Sequence, residues 1–145
     1  MELDIGAATL SSGLDKTTSR GVASAVLPAP LGQGGPRPKA TWQFSVPHAG
    51  VYYVWVRYTT LDAKRVSQFW IDCDGDKQLQ GADWRLRFPC TLTRHLDGVK
   101  PGPHTLSVAF EPAHAPNGPR LSAVYLSNDP SYRAPGFDPR VDFRK

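Results

Sequence analysis

The chain has 145 residues, enough for one domain with a sizeable core. Its 13 glycines and 14 prolines break it into short elements, which favours many strands and turns over helices. The net charge of +4 suits an acidic partner, but the basic residues are scattered in pairs such as Lys64-Arg65, so no nucleic-acid patch forms, and no apolar run is long enough to span a membrane as a helix.

Residues 1–10 read as a first strand; no basic stretch precedes an apolar one there, so no signal peptide is expected, and an exported protein would contain this chain as a piece. From Ser11 to Lys39, Ser, Thr, Gly, Ala and Pro dominate, which predicts a long loop with one short strand at 21–27. "TWQFSV" (41–46) alternates Trp42, Phe44 and Val46 against Thr41, Gln43 and Ser45, the period of a half-buried strand. Pro47 and Gly50 bound a corner. In 51–59 both faces are apolar or aromatic, so this strand is central, with Tyr52, Val54, Val56 and Tyr58 facing one way and Tyr53, Trp55, Arg57 and Thr59 the other.

A strand follows at 67–73 and ends in the turn Asp74-Gly75-Asp76; one or two short strands are expected in 83–99, a turn at 100–104, a strand at 104–110, a loop at 111–119 and a last strand at 120–128. Seven or eight strands at this spacing predict an all-β fold, a two-sheet antiparallel β-sandwich of jelly-roll type, whose core includes Phe44, Val54, Val56, Leu106, Val108 and Val124. Residues 1–128 form this domain and 129–145 read as an extended tail or linker. Trp42, Tyr52 and Trp55 are expected in core or sheet, with Trp70 open. Cys73 and Cys90, with no CxxC and no histidine pair, make no zinc site; a disulfide and two buried thiols are both open.

"TWQFSVPHAGVYYVWVRY" resembles the opening motif of jelly-roll carbohydrate-binding modules in the galactose-binding-like superfamily, families 6 and 35 above all. "SQFWIDCDGD", "GVKPGPHTLSVAF" and "PNGPRLSAVYL" continue the resemblance in order, over roughly residues 40 to 127. It implies a non-catalytic module that targets an attached glycan-active enzyme to a polysaccharide, in a secreted or cell-surface protein. It also implies a structural calcium, for which Glu2 and Asp4 stand at suitable spacing; Ser122, however, occupies the place of a last-strand aspartate, leaving few of the six to eight oxygens calcium prefers. Asp72, Asp74 and Asp76 lack the glycine position and closing glutamate of a calcium loop and read as a hairpin tip.

The candidate sugar-binding residues are Trp84, at a loop's edge, with His114, Asn117 and Arg120 on the approach to the last strand. Arg120 stands where the family often has an asparagine; its planar fork of donors suits a carboxylate or sulfate, and with the basic balance of charge it points to an acidic glycan. A surface arginine paired with Glu111 or Asp83 is the plainer reading. Catalysis has little support: Glu2 and Glu111 are the only glutamates, and nothing selects a pair of carboxylates. Two further classes stay open, a β-sandwich for protein contact in a multidomain protein and a small glycan-active enzyme.

Overall fold

The computed structural model describes residues 1–19, 21–26, 37–59, 67–82, 90–110 and 120–135. Among them lie eleven strands: β1 (Glu2–Asp4), β2 (Thr9–Leu10), β3 (Asp15–Ser19), β4 (Val22–Val26), β5 (Lys39–Val46), β6 (Gly50–Thr59), β7 (Ser67–Cys73), β8 (Asp76–Ala82), β9 (Cys90–Val99), β10 (Gly102–Phe110) and β11 (Arg120–Ser127). A 3₁₀ turn, Ile5–Ala7, follows β1, and there is no α-helix among the described residues. The strands form two antiparallel sheets. One runs β3-β4-β11-β6-β9, with β1 also paired to β11; the other runs β2-β5-β10-β7-β8. This is the sandwich expected from the strand pattern.

The period-2 pattern of β5 is obeyed: Trp42, Phe44 and Val46 enter the core, and Gln43 and Ser45 stay exposed. In β6, Tyr52, Val54, Val56 and Tyr58 enter the same core from the facing sheet, meeting Leu106, Val108, Phe110, Val124 and Leu126. The six core residues expected from the sequence are all buried. The corner at 47–49 is tied by Tyr52, whose hydroxyl donates to the His48 carbonyl at 2.8 Å. Trp42 reaches across to β1, its indole N–H donating to the Asp4 carbonyl at 2.7 Å.

Two expectations need correction. Within 11–39 the strand expected at 21–27 is present as β4, but β3 was missed: the two pair as a hairpin, from Asp15 opposite Val26 to Ser19 opposite Val22, and β4 joins the sheet where Ala25 meets Leu121. The strand after Asp74-Gly75 also escaped notice, since β8 pairs with the whole of β7, from Ser67 opposite Ala82 to Cys73 opposite Asp76. Asp74 and Gly75 both take positive φ, 52° and 93°, as a two-residue hairpin of primed type requires. Cys73 is a buried thiol whose S–H points to Asp74 Oδ2 at 3.9 Å, so no disulfide is made there.

Trp55 is buried, but away from the central core. It lies on the outer face of its sheet with Ala123 and Tyr125, and Tyr132 and Ala134 of the segment set aside as a tail pack on it. The Tyr132 ring meets Trp55 edge-on at 6.4 Å. Arg57 shares this outer face, which explains a charge inside an otherwise apolar strand. β11 carries an irregularity between Leu121 and Ala123, which leaves Ser122 without a partner opposite it. The Ser122 hydroxyl fills the gap: it donates to the Arg57 carbonyl at 3.2 Å and accepts from Arg57 Nε at 2.8 Å. The guanidinium lies 5.7 Å from the Tyr125 ring centroid.

Candidate functional site

The sheet registers place Val26, Lys39, Thr59, Ser67, Ala82, Cys90, Phe110 and Arg120 at one end of the sandwich. Lys39 lies opposite Ala109, Phe69 opposite Phe110, Ser67 opposite Ala82, and Arg120 opposite Thr59. Every connection between these ends, 27–38, 60–66, 83–89 and 111–119, passes from one sheet to the other. At the opposite end the chain turns within a few residues, at 47–49, 74–75 and 100–101. The fold therefore gathers its long connections at one rim and braces the other with tight turns, and it is on such connections, held by a rigid scaffold, that binding residues concentrate.

Of the sequence-predicted site residues, Arg120 is on this rim. It opens β11 and is half-buried; its Nε is fully covered and has no hydrogen-bond partner among the described residues. A buried guanidinium N–H without an acceptor is costly, and a ligand oxygen would relieve it. Trp84, His114 and Asn117 lie outside the described residues.

Sequence reasoning passed over a second feature of the rim. Ile71 enters the core, so Trp70 points out of the other face of its sheet, beside Ala109, which in turn lies beside Lys39. The Arg37 guanidinium sits over the Trp70 ring at 4.7 Å, and Trp70 Nε1 is buried with no partner among the described residues. The signal for Trp70 was present, an aromatic out of phase with the core residues of its strand; Arg37 gave none, because its stacking depends on which face Trp70 takes. Among the described residues the rim thus carries Arg37, Lys39 and Arg120 against Asp15, whereas at the tight-turn end Asp74, Asp76 and Asp97 stand with Lys77, Lys100 and His104. The described charges at the rim are mainly positive.

Glu2 and Asp4 lie elsewhere, on β1 beside Tyr125 and Ala123. Asp4 Oδ1 accepts the Ala7 N–H at 3.0 Å and so caps the 3₁₀ turn; Glu2 Oε1 accepts from the Tyr125 hydroxyl at 3.4 Å. Among the described residues no three His, Cys, Asp or Glu side chains gather to hold a metal. Ser122, at the third position, is engaged with Arg57. These residues do not fit the calcium that the resemblance implies. Chelation with EDTA should accordingly leave the melting temperature where it was. Calcium bound at a hundred times its Kd would instead have supplied about 2.7 kcal/mol, which a thermal scan detects easily.

No protein-family model matches the sequence, and no curated protein matches it. Solved structures do. The C-terminal family 6 carbohydrate-binding module of LamC, a marine laminarinase from Zobellia galactanivorans, superposes with a TM-score of 0.65 at 12% identity, over 88% of this chain and 98% of that one. A family 35 carbohydrate-binding module from Clostridium thermocellum gives 0.63 at 14% identity, over 88% and 98%. The cycloisomaltooligosaccharide glucanotransferase of Paenibacillus sp., complexed with cycloisomaltoheptaose, gives 0.64 at 14% identity, and there the match covers 86% of this chain but 18% of the enzyme. At such identities the likeness is one of fold. The chain has the jelly-roll fold of family 6 and family 35 carbohydrate-binding modules, and in the glucanotransferase it corresponds in size to one part of a much longer protein.

Proposed function

We propose that this domain is a non-catalytic carbohydrate-binding module whose site lies on the rim of long connections and takes an acidic polysaccharide. The observation that carries the reading is Arg120: a half-buried guanidinium at the end of the sandwich where the strands flanking four inter-sheet connections begin and end, with a covered N–H awaiting an acceptor. Arg37 and Lys39 on the same rim add to the positive field. Trp84, His114 and Asn117 belong to two of the connections that join this rim; in this reading Trp84 supplies a plane for a sugar ring and the other two hydrogen-bond its hydroxyls. A module of this kind raises the local concentration of an attached glycan-active enzyme on its polymer, in a secreted or cell-surface protein. The partner domain would then lie in the same polypeptide.

Affinity gels and calorimetry with a uronate- or sulfate-bearing polymer and a neutral glucan, side by side, test this. Arg120→Asn should weaken binding of the acidic polymer by about 1.5–3 kcal/mol, the scale of a hydrogen bond to a charged group. Its effect on the neutral glucan should be small. Wild-type binding should also fall with salt, since charges at a half-exposed rim are screened beyond about 10 Å at 0.1 M. Equal losses toward both polymers, or salt-independent binding of the neutral one, would refute the acidic-glycan reading. Binding to neither polymer by the folded protein would refute the module itself and leave protein contact as its function.

A further inference from the structure

The tight-turn end holds a histidine that only one protonation state satisfies. His104 Nδ1 lies 2.6 Å from Asp74 Oδ2, and Nε2 lies 2.6 Å from the Lys100 carbonyl. A neutral imidazole has one N–H and one lone pair, so it serves one of these acceptors and turns its lone pair toward the other. The imidazolium donates to both. We propose that protonated His104 is a pH-sensitive bolt: it ties the β7–β8 hairpin to the β9–β10 turn, and its deprotonation releases that end of the sandwich.

What it ties together is specific. Asp74 Oδ1 accepts the Thr105 N–H at 2.9 Å while the Asp74 N–H donates to the Thr105 carbonyl at 3.0 Å, so the hairpin tip is stitched to β10 beside the histidine. Behind the bolt lies a cavity of about 300 Å³, lined by Cys73, Asp74, Asp76, Asp97, Lys100 and His104 among others. The titratable residues that line this cavity with the ring are Asp74 and Asp76 with Cys73 from the hairpin, and Asp97 and Lys100 from the end of β9 and its turn, the Asp97 carboxylate lying 3.5 Å from His95 Nε2. From β5 the neighbour is the Phe44 ring, at 5.7 Å, which carries no charge. Of these, the Asp74 carboxylate, 2.6 Å from Nδ1, favours the charged imidazole. The His104 pKa is indeed raised from 6.5, chiefly by the hydrogen bond to Asp74 and then by that to the Lys100 carbonyl, against burial, which lowers it. For Asp74, burial pushes the pKa up, but the Thr105 N–H and His104 together bring it below 3.8.

The signs fix the pH window. A raised histidine pKa contributes stability that is complete below the unfolded value of 6.5 and disappears as pH climbs through the folded value. A lowered aspartate pKa contributes above 3.8 and fails as pH drops through the folded value. The bolt is firmest between those limits and opens on the alkaline side.

The test is an NMR titration of the His104 ring in the full chain, with amide exchange followed in parallel and thermal melts of wild type and His104→Gln from pH 5 to 10. The His104 midpoint should lie above 6.5, and the protection factors of the Asp74 and Thr105 amides should fall through that same midpoint. The melting temperature of wild type should exceed that of His104→Gln at pH 5.5, with the gap closing as pH passes the midpoint. A midpoint at or below 6.5, protection that ignores it, or a gap that stays constant with pH would each overturn the proposal. Should His104→Gln fail to fold, the wild-type titration and exchange decide by themselves.

Discussion

Aspartate in place of Val56 should leave the chain with no cooperative unfolding transition. Val56 is 1% exposed, on the central β6, and lies opposite Val124 of β11 on one side and Thr91 of β9 on the other. Val54, Leu106, Val108 and Phe110 belong to the same buried cluster. A carboxylate placed there has no cation to meet, so it must either ionise in an apolar surround or stay protonated and unbonded. Either way the cost exceeds about 4 kcal/mol, a large share of the roughly 5–15 kcal/mol that holds a domain together. Val56→Ala removes two methyl groups without adding a polar one and should cost only about 1–3 kcal/mol. Circular dichroism and thermal melts of both variants separate the two terms. A Val56→Asp protein that melts within a few degrees of wild type would mean that Val56 is not in the core.

Which elements the sequence revealed depended on whether one face of a strand meets the core while the other meets water. β5 has that alternation and was legible to within two residues. β10 was legible from Leu106, Val108 and Phe110 at alternate positions, and β11, buried along both faces, from its short apolar run. β3, with the sequence Asp-Lys-Thr-Thr-Ser, has no apolar face. It is an edge strand held only by β4, so its extended form comes from pairing and leaves no hydropathy pattern. β8, Asp-Lys-Gln-Leu-Gln-Gly-Ala, is the edge of the other sheet and was lost for the same reason. The double-sided apolar pattern of β6 correctly announced a central strand buried on both faces, but not what covers the outer one. The rim shows a similar limit. Arg120 was legible because it opens a strand and departs from the pattern of the resembling modules. The stack of Arg37 on Trp70, and the gathering of Arg37, Lys39 and Arg120 at one rim, arise from strand register and so were not visible in a linear chain.

The cover on that outer face supplies the second large expected effect. After β11 the chain folds back at Asp129, whose Oδ1 accepts both the N–H and the hydroxyl of Ser131, at 2.8 and 2.7 Å, while its carbonyl accepts the Tyr132 N–H at 3.1 Å. This turn lays Tyr132 and Ala134 on Trp55, which is 0% exposed, and Ala134 itself is 3% exposed. A chain ending at Asn128 would lose the turn and uncover Trp55, Ala123 and Tyr125 together. The apolar area returned to water, with the edge-on ring contact, corresponds to about 2–4 kcal/mol. At roughly 3 °C per kcal/mol for a domain of this size, the melting temperature should drop by about 6–12 °C. Tryptophan fluorescence should shift to the red in the same variant, because one indole moves into water. A chain ending at Pro135 keeps the turn and both covering residues and should behave as the full chain does. Equal melting temperatures for chains ending at Asn128 and at Pro135 would show that the segment rests on the sheet without holding it. A loss confined to the shorter chain would instead place the end of the folded unit after Ala134, so that any neighbouring domain is joined beyond the strap and not at the last strand.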